Sequence, residues 1–308
     1  MRHVLSIEAL GRENLAFIVN QGVAIAKGHG AGELPLAGRM VGIYFRRSST
    51  RTRTSFTVGA FRLGAGTIHY GPDDLQIVTG ESIEDTARVL SGFLDVLVVR
   101  TNEPLAEMQA LAAQNRMAII NAMSAEEHPT QAITDLITMR EALGRLDGIH
   151  VLYLGEGNNT AASLALAMAL THGMHLTLVT PENYGLSAKL LDTAQKLARQ
   201  NGSLIEQHHA IDRLPVKVDV VYTTRWQTMG VPKADEDWRD KFAAYRVTPK
   251  LMAHVSTSET IFLHDLPAMR GSEVYSEVLD GPQSRAFQQA GHKLTAAMAV
   301  LSWCVAEE

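Results

Sequence analysis

The sequence predicts an α/β fold, with two doubly wound domains built on parallel sheets. Apolar runs of strand length alternate with longer runs of helical periodicity through most of the 308 residues. This alternation is typical of parallel sheets that are covered by helices on both faces. The pattern pauses at residues 144–148, Gly-Arg-Leu-Asp-Gly, and then begins again. We therefore expect two domains of similar size, joined near residue 145.

The first domain is predicted to contain one leading helix and four strand–helix pairs. Apolar residues recur at helical spacing over residues 7–26, and the glycine-rich residues 28–32 end that helix. The four strands are expected at residues 39–45, 66–70, 96–99 and 118–121. The helices that follow them are expected at residues 51–63, 82–92, 104–114 and 130–143.

The second half repeats the alternation and then closes with a long helix. Its strands are expected at residues 150–154, 175–179, 204–207, 218–222 and 260–263. Its helices are expected at residues 158–171, 187–200 and 285–305. We assign one domain to residues 1–143 and the other to residues 149–284, and we expect residues 285–308 to pack back on the first domain. Ligands of such sheets bind beyond the carboxyl ends of the strands, so we expect an active site in the cleft between the domains.

Composition and charge exclude several functions. With 46% hydrophobic residues, 20% charged residues and a net charge of −5, the chain is globular and its surface as a whole does not suit a nucleic acid. The single cysteine, Cys304, excludes an intrachain disulfide and fits a reducing compartment. We see neither a secretion signal nor a membrane span. We therefore expect a cytoplasmic protein with no membrane or nucleic-acid partner.

One stretch combines hydroxyl and arginine side chains where a strand gives way to a helix. It follows the strand at residues 39–45 and contains Ser49, Thr50, Arg51 and Thr52. The unpaired N–H groups of a first helical turn favour an anion, and an arginine adds a planar pair of donors. We interpret the stretch as a phosphate cradle. The alternative is an ordinary N-cap with solvated arginines.

Two more groups of polar side chains are expected at the same edge of the first sheet. Arg100 ends an apolar strand, and His128 and Gln131 follow the last strand of this domain. Side chains at the carboxyl ends of parallel strands face the ligand crevice. The loop at residues 75–82 also runs into a helix, where Ser82 can form a capping box.

Three loops of the second domain have both a functional and a structural interpretation. Residues 155–160, Gly-Glu-Gly-Asn-Asn-Thr, resemble a dinucleotide fingerprint without its third glycine and acidic partner. Arg225 and Gln227 can hold a carboxylate, or they belong to a surface loop. His264 and Asp265 form either an acid–base unit or a buried hydrogen-bonding corner.

The motifs of both domains, considered together, resemble those of one family. The aspartate/ornithine carbamoyltransferases carry, in this order and spacing, the motifs Ser49-Thr50-Arg51-Thr52-Arg53, Arg100, His128-Pro129-Thr130-Gln131 and His264-x-Leu266-Pro267. The resemblance covers essentially the whole chain. It implies carbamoyl phosphate as the donor, a small amine as the acceptor and a homotrimer with active sites at subunit interfaces. It implies neither a metal nor a cofactor.

The resemblance also implies a role for each matching position. Carbamoyl phosphate is expected to contact Ser49, Thr50, Arg51, Thr52, Gln76, Arg100, His128, Gln131 and the carbonyl of Leu266. The catalytic members of this set are Arg51, Thr52, Arg100, His128 and Gln131. The acceptor is expected to contact Asn159, Thr224, Arg225, Gln227, Thr228, Met229, His264, Asp265, Leu266 and Pro267.

The acceptor motifs match two subfamilies. Arg225 and Gln227 resemble the aspartate enzymes, whereas residues 158–159 and 228–230 resemble the ornithine enzymes. The ornithine enzymes also have an aspartate where Thr224 stands and a cysteine where Asp265 stands. An added cation at 225 and a lost anion at 224 favour a small anionic, aspartate-like amino acid. The alternative is an ornithine-type or other specialised acceptor.

One expected cation is absent from the first domain. Both subfamilies usually have a lysine in the loop before Gly80, where it reaches the phosphate bound by a neighbouring subunit, but this chain has no lysine between Lys27 and Lys189. This departure keeps a non-catalytic binding protein open as an alternative, beside a dinucleotide-dependent enzyme that would use residues 155–160.

Overall fold

The computed structural model describes residues 1–227 and 233–306 and confirms the predicted α/β class. The chain divides into two compact units. Unit 1 consists of Met1–Ile137 and Gly291–Glu308, and unit 2 consists of Thr138–Ala290.

Unit 1 is built on a parallel sheet. Within its described residues, four strands pair in the order β2-β1-β3-β4. Every residue of β3 and β4 is buried, as expected for parallel strands that read as continuous apolar runs. The four strands are β1 (Met40–Phe45), β2 (Gly66–Tyr70), β3 (Val96–Arg100) and β4 (Ala118–Met123).

The helices of the first half begin close to the predicted positions. Ser6 caps the first helix by accepting from the N–H of Ala9, and the helix is interrupted at Gly11, where φ is 75°. The helices are α1 (Ile7–Ala26), α2 (Arg51–Arg62), α3 (Ile83–Leu90), α4 (Leu105–Leu111) and α5 (Pro129–Leu143).

Unit 2 contains a second parallel sheet. In its described part, five strands pair in the order β7-β6-β5-β8-β9, so β5, β8 and β9 are consecutive neighbours. The registers Leu154↔Thr223 and Thr223↔His264 align the carboxyl ends of these three strands. The strands are β5 (His150–Leu154), β6 (His175–Val179), β7 (Leu204–His208), β8 (Val218–Thr223) and β9 (Ser256–His264).

Three short helices of unit 2 were not predicted. Each is too short for a helical period to be visible in the sequence, and such helices depend on tertiary packing. Trp238 and Phe242, for example, pack with Trp226 in one apolar cluster. The helices of this unit are α6 (Asn159–Leu170), α7 (Ala188–Asn201), α8 (Trp238–Phe242), α9 (Pro249–Val255) and α10 (Ser276–Leu279).

The last helix, α11 (Ala286–Val305), returns the chain to unit 1. There it packs so close to α2 that a Cβ on Gly59 would lie 3.3 Å from Cγ of Met298. Cys304 is buried on α11, and burial raises the pKa of its thiol, so it belongs to the packing. Among the described residues, no helix is both long enough and apolar enough to cross a bilayer.

Candidate functional site

The start of α2 is open to an anion. Thr50 precedes the helix, but its side chain makes no capping hydrogen bond, so the N-cap interpretation is wrong for this residue. The first turn also contains no acidic side chain and begins with Arg51. A cation at a helix N-terminus opposes the dipole unless an anion is bound beside it. The local sequence therefore favours anion binding over the stability of the free helix.

The remaining side chains of this turn divide into two groups. Thr52 is buried and Ser49 and Arg51 are partly buried at the head of the helix. The guanidinium of Arg53 instead lies 5.5 Å from the ring centroid of Phe45, which is a stabilising cation–π contact within unit 1.

Arg100, His128 and Gln131 are brought together as polar groups within the apolar interior of unit 1. Arg100 ends β3, and Nη1 of its buried side chain lies 3.5 Å from Nε2 of His128. Gln131, in the first turn of α5, donates from Nε2 to Oδ1 of Asp135 at 2.7 Å. This contact turns Oε1 of Gln131 toward a further residue, Lys293, whose ammonium group donates to it.

Lys293 is a further residue of this candidate site, and no sequence motif indicated it. It lies on α11, remote in sequence from Gln131 (162 positions), and its side chain is buried. The sequence did contain a signal, because Lys293 is the only Lys, Arg, Asp or Glu in the sequence of α11. A buried lysine with a polar partner is uncommon and points to a function.

Burial, together with the charge of this cluster, keeps His128 neutral. Burial, followed by the positive charges of Lys293 and Arg100, holds the pKa of His128 well below its usual value. The imidazole therefore has one N–H donor and one acceptor nitrogen at physiological pH. We call Arg100, His128, Gln131 and Lys293 the donor cluster.

The loop after β2 has local hydrogen bonds. Ser82 accepts from the N–H of Asp85 at 3.1 Å, which confirms its predicted capping role. Gln76 lies in an exposed turn, where its Oε1 accepts from the hydroxyl of Thr79 at 2.7 Å. The side chain of Gln76 is thus engaged in its own turn rather than in the donor cluster.

The glycine turn after β5 does not suit a dinucleotide. A Cβ on Gly157 would lie 2.4 Å from the backbone of residues 185–186, so the chain itself occupies the space beside this glycine. The N–H of Gly157 donates to the carbonyl of Tyr184 at 2.7 Å. Asn158 then caps α6 by accepting from the backbone of Thr160. The turn serves packing and capping, and this geometry argues against the dinucleotide interpretation.

Acceptor-side candidates meet where β5, β8 and β9 end. Thr224 donates to Oδ1 of Asp265 at 2.9 Å, and Thr160 donates to Oδ2 of Asp265 at 3.1 Å. Asn159 is buried beside Thr160, whereas Arg225 and Gln227 are partly exposed. The predicted contacts Thr228 and Met229 lie outside the described residues.

His264 forms a buried corner rather than an acid–base pair with Asp265. Its side chain is fully buried, Nε2 lies 3.2 Å from Oε1 of Glu273, and Nδ1 accepts from the N–H of Leu266 at 2.9 Å. Nδ1 therefore carries no proton that it could give to Asp265. This arrangement makes His264 a positioning residue for the turn that contains Leu266 and the cis bond to Pro267. Whether these acceptor-side residues share one cleft with the donor cluster stays a prediction.

Comparison with known proteins identifies both halves of the chain. Residues 2–141 match the family described as "Aspartate/ornithine carbamoyltransferase, carbamoyl-P binding domain", and residues 147–304 match its "Asp/Orn binding domain". The chain is 37% identical over 308 residues to an ornithine carbamoyltransferase of Oceanobacillus iheyensis, covering 99% of this chain and 95% of the relative. It is 41% identical over 272 residues to one from Symbiobacterium thermophilum, covering 88% and 87%.

A solved structure from the same family is also similar to this chain. The ornithine carbamoyltransferase from Pyrococcus furiosus superposes with a TM-score of 0.90 at 34% identity, covering 97% of this chain and 96% of that one.

Proposed function

Because both halves of the chain match its two domains, the protein belongs to the aspartate/ornithine carbamoyltransferase family, and we propose that it carbamoylates ornithine or a similar diamino acid. In this reaction the carbamoyl group leaves carbamoyl phosphate, and inorganic phosphate is released. The observation that carries the proposal is the donor cluster, in which buried Arg100 lies beside His128 and buried Lys293 donates to Gln131.

Phosphate binding is assigned to the head of α2. The open first turn, Arg51 and the hydroxyls of Ser49, Thr50 and Thr52 supply donors to a phosphate. The dianion also compensates the positive charge that Arg51 brings to the helix N-terminus. In this proposal, bound carbamoyl phosphate stabilises a helix start that has no side-chain cap from Thr50 and that begins with an arginine.

Activation of the carbonyl carbon is assigned to the donor cluster. The carbonyl oxygen of carbamoyl phosphate becomes negative in the tetrahedral state, and the polar groups of the donor cluster can stabilise that charge. Arg100 and Lys293 add positive charge in the same buried region. A neutral histidine suits this role because protonation would add a third cation to the cluster.

The chemical step needs only positioned donors and a deprotonated amine. The amine nitrogen forms a C–N bond to the carbonyl carbon, and the C–O bond to phosphate breaks when the tetrahedral state collapses. Phosphate leaves with the bonding electron pair and takes the proton that the amine loses. The protein contributes orientation and charge stabilisation.

The ornithine-type acceptor, which was the alternative of the sequence analysis, is preferred for two reasons. The relatives described above are named ornithine carbamoyltransferases. In addition, the carboxylate of Asp265 is hydrogen bonded to Thr224, so an anion is present beside the position where the ornithine pattern has one. These observations weaken the argument for an aspartate-like acceptor, which relied on a lost anion and on Arg225.

We also propose that the protein is a homotrimer in the cytoplasm. Unit 1 has large apolar side chains on its surface, among them Phe61, 78% exposed, and Phe93, 72% exposed, and β2 is an edge strand. Exposed apolar groups of this size favour contact with another copy of the chain. Light scattering of the purified protein tests the trimer, and a monomer at micromolar concentration contradicts it.

The function is tested by following phosphate release and citrulline formation from carbamoyl phosphate and ornithine. Aspartate, putrescine and lysine serve as alternative acceptors. We expect turnover with ornithine and none with aspartate. Turnover with aspartate alone would restore the anionic acceptor. Binding of carbamoyl phosphate without turnover of any amine would favour the non-catalytic alternative.

A further inference from the structure

A carboxylate stands one strand away from its place in the ornithine-type pattern. That pattern has an aspartate at position 224 and a cysteine at 265, whereas this chain has Thr224 and Asp265. β8 and β9 are parallel neighbours in register, with Thr223 opposite His264, so the following residues of the two strands lie side by side. The hydrogen bond of 2.9 Å from Thr224 to Asp265 joins the two positions. Compared with the ornithine-type pattern, the negative charge is therefore retained, but it follows β9 instead of β8.

Asp265 is held by neutral groups. Its two oxygens accept from the hydroxyls of Thr224 and Thr160, at 2.9 and 3.1 Å. His264 lies 3.5 Å away but faces Asp265 with Nδ1, which already accepts from the N–H of Leu266. Throughout residues 1–227 and 233–306, no lysine or arginine forms an ion pair with this carboxylate.

The carboxylate is also accessible. The side chain of Asp265 is 16% exposed, in contrast to His264, whose side chain is fully buried. Its position beyond the carboxyl ends of β5, β8 and β9 is where ligands of parallel sheets bind. A fixed, partly buried carboxylate with only hydroxyl partners binds a cation that can donate hydrogen bonds more strongly than it binds a neutral group. A primary ammonium group meets this requirement.

We propose that Asp265 binds the α-ammonium group of a diamino acid acceptor and thereby determines which amine is carbamoylated. This inference rests on the proposed function. With the α-ammonium held at Asp265, the amine at the other end of the acceptor is the nucleophile. The carboxylate also disfavours aspartate, which has two anionic groups and no second amine. Thr224 and Thr160 orient the carboxylate but do not carry charge.

The test compares ornithine with 5-aminovalerate, which is ornithine without its α-amino group. The variant Asp265→Asn keeps the size of the side chain and leaves an oxygen for Thr224. We expect KM for ornithine to rise roughly 10- to 100-fold, as for the loss of a charged hydrogen bond. KM for carbamoyl phosphate and kcat/KM for 5-aminovalerate should stay near the wild-type values. The wild-type preference for ornithine over 5-aminovalerate should therefore disappear.

A double variant provides the rescue. Thr224→Asp combined with Asp265→Cys restores the ornithine-type arrangement and should recover most of the preference for ornithine. If Asp265→Asn loses activity equally with ornithine and 5-aminovalerate, or keeps full activity with both, the proposal is overturned. A purely structural role would leave the ratio of the two activities unchanged.

Calorimetry separates this inference from the proposed function. Ornithine binding to wild type and to Asp265→Asn can be measured without turnover. If wild type binds ornithine more tightly than the variant but makes no citrulline, the proposed function fails and the role of Asp265 stands. Equal affinities, or no binding by either protein, overturn the role of Asp265.

Discussion

Replacing Lys293 with methionine removes one buried positive charge while keeping a side chain of similar length. In the wild-type protein the ammonium group donates to Oε1 of Gln131, and its charge contributes to lowering the pKa of His128. The variant therefore changes both a hydrogen bond and the electrostatics of the donor cluster. We expect two separate measurements to respond.

The first measurement is kinetic. Loss of a hydrogen bond from a charged group costs about 1.5–3 kcal/mol, which corresponds to a roughly 10- to 150-fold lower kcat/KM for carbamoyl phosphate. The free energy of unfolding should fall by no more than about 1–3 kcal/mol, the cost of a buried acceptor without its donor. Lys250→Met, which changes an exposed lysine of unit 2, is the matched control and should leave both quantities near the wild-type values.

The second measurement is the titration of His128 by NMR. Burial is the largest cause of its low pKa, followed by Lys293 and then by Arg100. Removing Lys293 should therefore raise the pKa of His128, although burial and Arg100 keep it below 6.5. Lys293→Arg retains the charge and should leave this pKa low. If Lys293→Met changes neither kcat/KM nor the titration of His128, the reasoning about the donor cluster is refuted.

Three further predictions concern the anion site, a tight turn and the dependence of stability on pH. Arg51→Ala should abolish measurable carbamoyl phosphate binding by calorimetry, whereas Arg53→Lys should mainly lower the melting temperature; equal binding losses would contradict this division. Gly157→Ala should destabilise unit 2 by about 1–3 kcal/mol in urea unfolding because of overpacking, while Gly291→Ala, with open space around its Cβ position, should not. Burial and a neighbouring histidine lower the pKa of His150 to about 4, so the unfolded chain binds the proton first and stability is lost as pH falls from 6.5 to 4. In His150→Asn the free energy of unfolding should depend less on pH between 6.5 and 4. Equal pH dependence in the wild type and the variant would rule out the assignment to His150.

The fold class and most elements followed from local patterns. Strand-length apolar runs such as β3 and β4 are buried on both faces, which only a helix-covered parallel sheet provides. Their period and length are visible without any tertiary contact. The short helices α8 to α10 were missed because their stability comes from packing rather than from a periodic pattern.

Site motifs were predicted from residue type and position at strand ends, but their contacts were not. Arg100 was predicted because it ends a strand of the first sheet, and His128 and Gln131 because they follow another. Position alone did not distinguish the buried corner at His264 from the accessible carboxylate at Asp265, although the two residues are adjacent. Burial and the direction of hydrogen bonds separate them.

Local order along the chain thus contained the α/β class and the two-domain plan, and it led to the prediction of an anion site at the head of α2. The pairing of Lys293 with Gln131 across 162 positions, and that of Asp265 with Thr160 across 105, required the folded chain. Periodicity and helix capping act over a few residues, so they are readable from the sequence. Contacts between distant side chains depend on how whole elements pack, and only the packed structure specifies which charges meet and which remain available to a ligand.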